Sequence, residues 1–119
     1  MPTIRDLVGA LGRRTGVDAA ILLGRDGVVI DGRGAPPGEA DVLAALVPPL
    51  LAAADTLGAS ARRGEVVTTV VEFGTGFGII SAVSDDACLL LLARADAPLA
   101  PLLSDLRRHR AGIAALIGS

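Results

Sequence analysis

Val42-Leu43-Ala44-Ala45-Leu46-Val47-Pro48-Pro49-Leu50-Leu51-Ala52-Ala53-Ala54 is a run of thirteen residues without a charge or a polar side chain. It is too short to cross a bilayer, which takes about 20 apolar residues, and too apolar for a helix with one wet face. On a helical wheel Val42, Leu43, Leu46, Leu50 and Leu57 form one stripe, expected to lie on a sheet. Val47, Leu51, Ala54 and Gly58 form a second seam beside it. One sheet cannot cover both, so the helix is expected to be shared with a partner. Asp41, Ala44, Pro48, Ala52 and Asp55 lie roughly opposite the second seam and give a smooth, shallow outer face.

The flanks bound this helix. Gly34-Ala35-Pro36-Pro37-Gly38 is a stiff loop, and Glu39 and Asp41 follow in the first turn, where carboxylates suit the positive end of the helix dipole. The helix is expected to reach Ala59. Pro48-Pro49 interrupts it, because each proline lacks an amide hydrogen and crowds the carbonyl one turn back, so a kink or a two-piece helix is expected.

Gly64 then opens Glu65 to Phe73 (EVVTTVVEF), whose β-branched content is the strongest strand signal in the chain. At a sheet edge its uncharged middle would invite another chain; pairing with its own symmetry mate removes that hazard. The glycines of Gly74-Thr75-Gly76 turn the chain into Phe77 to Val83, and Ser84-Asp85-Asp86 turns it into Ala87 to Ala93, which reads as a buried central strand. The GTGFG run lacks a third glycine at the right spacing and the following helix of a dinucleotide loop.

On the N-terminal side, Thr3 caps a helix with Asp6 three positions on, and Ile4, Leu7, Val8 and Leu11 follow at one-face spacing to about Arg14. Val17 to Leu23 reads as a strand covered on both faces. Gly24-Arg25-Asp26-Gly27 is a hairpin turn into Val28 to Asp31, whose polar end suits an edge. At the other end, Asp96-Ala97-Pro98 starts a last helix with Leu99, Leu102, Leu103, Leu106, Ile113, Leu116 and Ile117 on its buried face. The order is helix, two strands, helix, three strands, helix: an αββαβββα chain of the α+β type, with a five-stranded, mostly antiparallel sheet and helices on both faces.

Composition narrows the chemistry. The 119 residues suit one domain spanning 1–119, just over half of them apolar, with Phe73 and Phe77 the only aromatics. The net charge of −2 gives no basic footprint for nucleic acid or a membrane surface. No signal segment is visible and the single Cys88 cannot form an internal disulfide, so a cytoplasmic location is expected. Lys, Asn, Gln, Tyr and Trp are absent, which excludes a P-loop lysine, a Schiff-base amine and side-chain amide readout. No Ser-His-Asp, Cys-His or paired-carboxylate constellation emerges. Asp85-Asp86 reads as turn punctuation, the lone His109 has no companion ligands, and Arg107, Arg108, His109 and Arg110 read as a solvated late-helix face. No enzyme activity, metal or cofactor is expected, and no set of convergent polar groups marks a small-molecule cavity.

The stretch Gly16-Val17-Asp18-Ala19-Ala20-Ile21-Leu22-Leu23-Gly24-Arg25-Asp26-Gly27-Val28-Val29-Ile30, the Ala/Leu-rich second helix, Gly64-Glu65 and Ala95-Asp96-Ala97-Pro98-Leu99 together resemble the roadblock (dynein light chain) family. The likeness is to its bacterial branch that partners small Ras-like GTPases. The resemblance implies a five-stranded sheet with the second helix on one face and the terminal helices on the other. It implies a homodimer through the second helix and third strand, placing Val47, Leu51, Ala54, Gly58, Val66, Val67, Thr68, Thr69, Val70 and Val71 in the interface. By the same analogy a small GTPase sits on Asp41, Ala44, Pro48, Ala52 and Asp55, with Arg62 or Arg63 a candidate arginine finger. The chain would then regulate GTP turnover by favouring one state of its partner. The alternative is a scaffold subunit of a signalling or motility complex with no effect on turnover.

Overall fold

Alternation, β-branching and glycine turns place the strands in sequence, but their order across the sheet decides what each one touches. The computed structural model describes residues 3–117, with side chains placed through residue 112. The elements are α1 (Ile4–Gly12), β1 (Val17–Gly24), β2 (Val29–Arg33), α2 (Pro37–Ser60), β3 (Thr68–Phe73), β4 (Gly76–Ala82), β5 (Ala87–Arg94) and α3 (Leu99–Ile117). The strands form one five-stranded sheet in the order β2-β1-β5-β4-β3, and every neighbouring pair is antiparallel. This is the αββαβββα architecture expected from the sequence, with β5 at the centre and β2 and β3 at the two edges.

Two cores flank the sheet. On one face α1 and α3 bring Val8, Leu11, Leu102 and Leu106 onto Leu22, Ile79, Leu89 and Leu91. On the other, α2 brings Ala40, Ala44, Val47 and Leu51 onto Ile21, Leu23, Ile80 and Leu90. A strand between two layers has no wet face, which is why β1 and β5 read as continuous apolar runs. The helix-face residues Ile113, Leu116 and Ile117 lie outside the residues whose side chains are described.

Local chemistry fixes the ends. Thr3 Oγ1 accepts from the Asp6 amide at 3.2 Å, and Asp6 Oδ2 accepts from the Thr3 amide at 2.9 Å, a complete capping box at the start of α1. These bonds hold the Asp6 carboxyl below its ordinary pKa. Arg14 Nε meets Asp105 Oδ2 at 2.9 Å and ties the end of α1 to α3. In the β1–β2 turn, Gly27 has φ +86 and donates to the Gly24 carbonyl, while Asp26 Oδ1 accepts from the Val28 amide.

The proline pair does not divide α2. The helix runs unbroken from Pro37 to Ser60, so the expected division into two pieces does not occur. Proline's fixed φ of about −65° is itself helical; what is lost is the two amide donors to the Ala44 and Ala45 carbonyls. The β1–β2 turn packs against that spot. A Cβ on Gly27 would lie 3.3 Å from Pro48 Cγ and 3.4 Å from the Ala44 carbonyl oxygen, so only glycine lets the turn come this close. By length and composition α2 could also span a membrane, but one of its faces lies in the chain's own core.

Candidate functional site

The face that α2 turns to the sheet is not the one the wheel assigned to it. Ala44, Val47 and Leu51 are 0%, 2% and 3% exposed, whereas Val42, Leu46, Leu50 and Leu57 are 63%, 60%, 46% and 71% exposed. Of the stripe expected on the sheet, only Leu43 is partly covered. The reason is volume. The sheet already presents Ile21, Leu23, Ile80 and Leu90 upward, so the helix settles on its small residues, Ala40 and Ala44, with Val47 and Leu51 filling between. Rotating the leucines inward would overfill that layer.

The displaced leucines face the bare end of the sheet. Beside them β3 is an edge strand, hydrogen-bonded only to β4 on its inner side. Leu46, Leu50, Val71, Phe73 and Leu92 line a wholly apolar groove of about 140 Å³ between α2 and this edge. Val67, Val70 and Phe73 are exposed on β3 and its approach. The Oγ1 of Thr69 is buried there with no hydrogen-bond partner among the described residues. An apolar helix stripe, an apolar groove and an open strand edge are thus continuous, which in water marks an unfinished surface.

At the exit of α2 the chain is held by polar contacts. Asp55 Oδ1 accepts from the Val66 amide at 2.9 Å, and its Oδ2 lies 3.8 Å from Arg25 Nη1 of the β1–β2 turn. The helix closes with the Arg62 amide on the Ala59 carbonyl and the Arg63 amide on the Gly58 carbonyl, the paired bonds of a Schellman ending. That ending wants a left-handed residue, and here it is Arg62, at φ +59. Arg63 and, from α3, Arg107 line an open groove of about 740 Å³ together with Glu65 and Val67.

Among the described residues no three His, Cys, Asp or Glu side chains could hold a metal together. Cys88 is buried under α2, and burial pushes its thiol pKa up, away from the reactive thiolate.

The family model described as Roadblock/LC7 domain matches residues 3–93. The chain belongs to the Roadblock/LC7 family. Among solved structures, a Roadblock/LC7 domain from Streptomyces avermitilis shares 27% identity with this roadblock chain, covers 95% of it and 96% of its own length, and superposes with a TM-score of 0.88. The gliding protein MglB of Thermus thermophilus shares 24% identity over 95% of this chain and 87% of its own, with a TM-score of 0.84. MglB of Myxococcus xanthus reaches a TM-score of 0.87 at 15% identity, over 96% and 94% of the two chains. At these last two identities the likeness is one of fold. No curated protein sequence matches the chain significantly.

On the roadblock fold the candidate residues distribute as follows. Of those placed in a dimer interface, Val67 and Val70 are exposed, Val66, Thr68, Thr69 and Val71 are half-buried along the β3 edge, and Ala54 and Gly58 are half-buried. Val47 and Leu51 are core residues and are corrected out of that surface; a Cβ on Gly58 would strike the Gly64 carbonyl. Of the outer face, Asp41 and Ala52 are exposed, Ala44 is buried, Pro48 faces the Gly27 turn and Asp55 faces Val66 and Arg25, so those last three do not form one smooth surface. Arg62 and Arg63 are both exposed. Sequence reasoning missed Leu46, Leu50 and Leu57 as surface residues, although their apolar stripe was visible on the wheel, and it left Phe73 of β3 out of the interface.

Proposed function

We propose that two copies of this chain pair through α2 and β3, and that the dimer is a platform for a small Ras-like GTPase whose turnover it regulates. The observation that carries the pairing is the continuous apolar surface formed by Val42, Leu46, Leu50, Leu57 and the groove beside Phe73. A symmetric partner offers the same leucines to the same groove and completes the open edge of β3, giving a closed two-fold interface. Roadblock/LC7 membership supports the GTPase reading, in which the chain contributes binding and the nucleotide chemistry belongs to the partner.

In this reading the dimer binds the GTP form of its partner better than the GDP form, because only differential affinity shifts an equilibrium between two states. Arg62 is the residue we place closest to the nucleotide. A non-glycine residue in left-handed backbone is a local cost, and such costs cluster where a side chain is put to use. The scaffold reading remains the second one: the same dimer joins components without altering turnover.

The test is binding of the purified chain to a Ras-like GTPase encoded beside it, loaded with GDP or a GTP analogue, with GTP turnover followed in parallel. Preference for the GTP form and faster turnover, lost in Arg62→Ala, is the expected result. Binding without acceleration selects the scaffold reading. No binding to either form overturns both GTPase roles.

A further inference from the structure

On the face of the sheet away from α2, and at the opposite edge from β3, the Arg13 and Arg33 guanidinium groups meet over Gly9, and Arg5 lines the cavity beside them. Arg5, Gly9 and Arg13 follow one another at helical spacing of four along α1, on the side that faces β2. Arg33 reaches back from β2, its methylenes packed against Gly12. A Cβ on Gly9 would lie 3.4 Å from Arg13 Nη1 and 3.6 Å from Arg33 Nη1, so both forks close over the same point of bare helix backbone. Arg5 and Arg33, with Gly9, Asp31 and Gly32, line a small polar cavity of about 230 Å³ at that place.

Arg13 helps to lower the pKa of Asp6, on its own helix, from a distance and without a direct ion pair. Among the described residues, none of Arg5, Arg13 and Arg33 has a carboxylate within ion-pair distance; the pairs that do form use Arg14, Arg25, Arg94 and Arg108. Asp6, on the same helix, is committed to the Thr3 cap. Asp31 is the one acid lining the cavity beside Arg5 and Arg33, and Arg13 adjoins it over Gly9, so the spot is net positive in a protein whose net charge is −2. Like charges gathered against that background repel one another unless an anion joins them. Gly9 also gives up helix propensity relative to alanine while leaving room for the two forks.

We propose that this cradle binds a phosphoryl group. A phosphate carries a charge of about −1.5 to −2 and three strong acceptor oxygens, enough to accept from the Arg13 and Arg33 forks over Gly9 and from Arg5 beside them. A carboxylate, with two oxygens, satisfies one fork in bidentate fashion and leaves the others unpaired. The site lies on the α1 side at the β2 edge, so pairing through α2 and β3 leaves it open; it stands whether or not the GTPase reading does.

The test is titration of the uniformly 15N-labelled full chain with inorganic phosphate at constant ionic strength, reading the arginine Nε–Hε signals. The Arg5, Arg13 and Arg33 signals are expected to shift saturably, while Arg62 stays put. Arg13→Gln is expected to weaken binding roughly threefold to tenfold, and Gly9→Asp, which sets a carboxylate under the forks, to abolish it. Arg33→Gln also loses packing on Gly12, so Arg13→Gln is the deciding variant. A second titration with O-phosphoserine separates the sources: tighter binding than inorganic phosphate marks a phosphorylated partner, equal binding a free ion. Shifts that rise linearly, equal those given by chloride, or persist unchanged in Arg13→Gln overturn the proposal.

Discussion

Replacing Leu46 with alanine separates the two ways of placing α2. Leu46 is 60% exposed in the single chain, so most of its side chain is not yet buried. Full burial of a leucine is worth about 1.5–3 kcal/mol, and the uncovered share therefore about 1–2 kcal/mol in each protomer. In a two-fold interface the change counts twice. Leu46→Ala should weaken the dimer by about 2–4 kcal/mol, roughly 30- to 700-fold in dissociation constant, while the urea midpoint of the dilute, monomeric chain stays nearly unchanged. Leu51→Ala should do the reverse. At 3% exposed it is core, and its truncation should cost about 2–5 kcal/mol of monomer stability. Sedimentation equilibrium over a concentration series gives the first quantity, and urea unfolding at the dilute end gives the second. If Leu46→Ala lowers the unfolding midpoint as much as Leu51→Ala and leaves association untouched, the helix faces are assigned the wrong way round and the proposed interface fails with them.

Three further outcomes follow from local geometry. Arg62→Gly removes a side chain from left-handed backbone and should stabilise the fold by about 0.5–1 kcal/mol, read as a higher urea midpoint at unchanged slope. Pro49→Ala restores a donor to the Ala45 carbonyl inside an unbroken helix, on an exposed turn, and should raise stability by about 1–3 kcal/mol in the same assay. For Asp6 the sign runs with its depressed folded-state pKa: its contribution is present above the unfolded value of about 3.9 and is lost as pH falls through the lower folded one. The stability gap between the wild type and Asp6→Asn should therefore hold from neutral pH to about pH 5 and close below it, as measured by thermal unfolding across pH.

The sheet was legible because its signals are local. Val66 to Val71 is β-branched, Leu89 to Leu92 is a bare leucine run, and Gly27 and Gly76 stand where the chain must turn; each of these is decided within a few residues. What was not legible is rotation. Two apolar stripes about a quarter-turn apart lie on α2, and nothing local in the sequence says which of them meets the sheet. The decision is made by residues far away in sequence, Leu23 and Leu90 among them, against which Ala40, Ala44, Val47 and Leu51 pack. Asp55 gave no signal for the same reason, since its partner, the Val66 amide, is placed by the turn between them. Arg5, Gly9 and Arg13 were visible at a spacing of four, but Arg33 joins them only once β2 is laid beside α1.

The misplacement of α2 is informative about the interface rather than merely a wrong rotation. Had the leucines covered the sheet, the free face of the helix would have been Val47, Leu51, Ala54 and Gly58, a seam with two medium-sized side chains and little to bury. The structure instead keeps the small residues for its own core and leaves Val42, Leu46, Leu50 and Leu57 outside, next to an open strand edge and an apolar groove. A chain of this size gives up several kcal/mol of available burial by leaving four large side chains in water. Since Ala40, Ala44, Val47 and Leu51 already occupy the sheet, folding of one chain does not bury the other stripe. Association can, and it recovers most where the leucines and the unpaired β3 edge are buried by the same act.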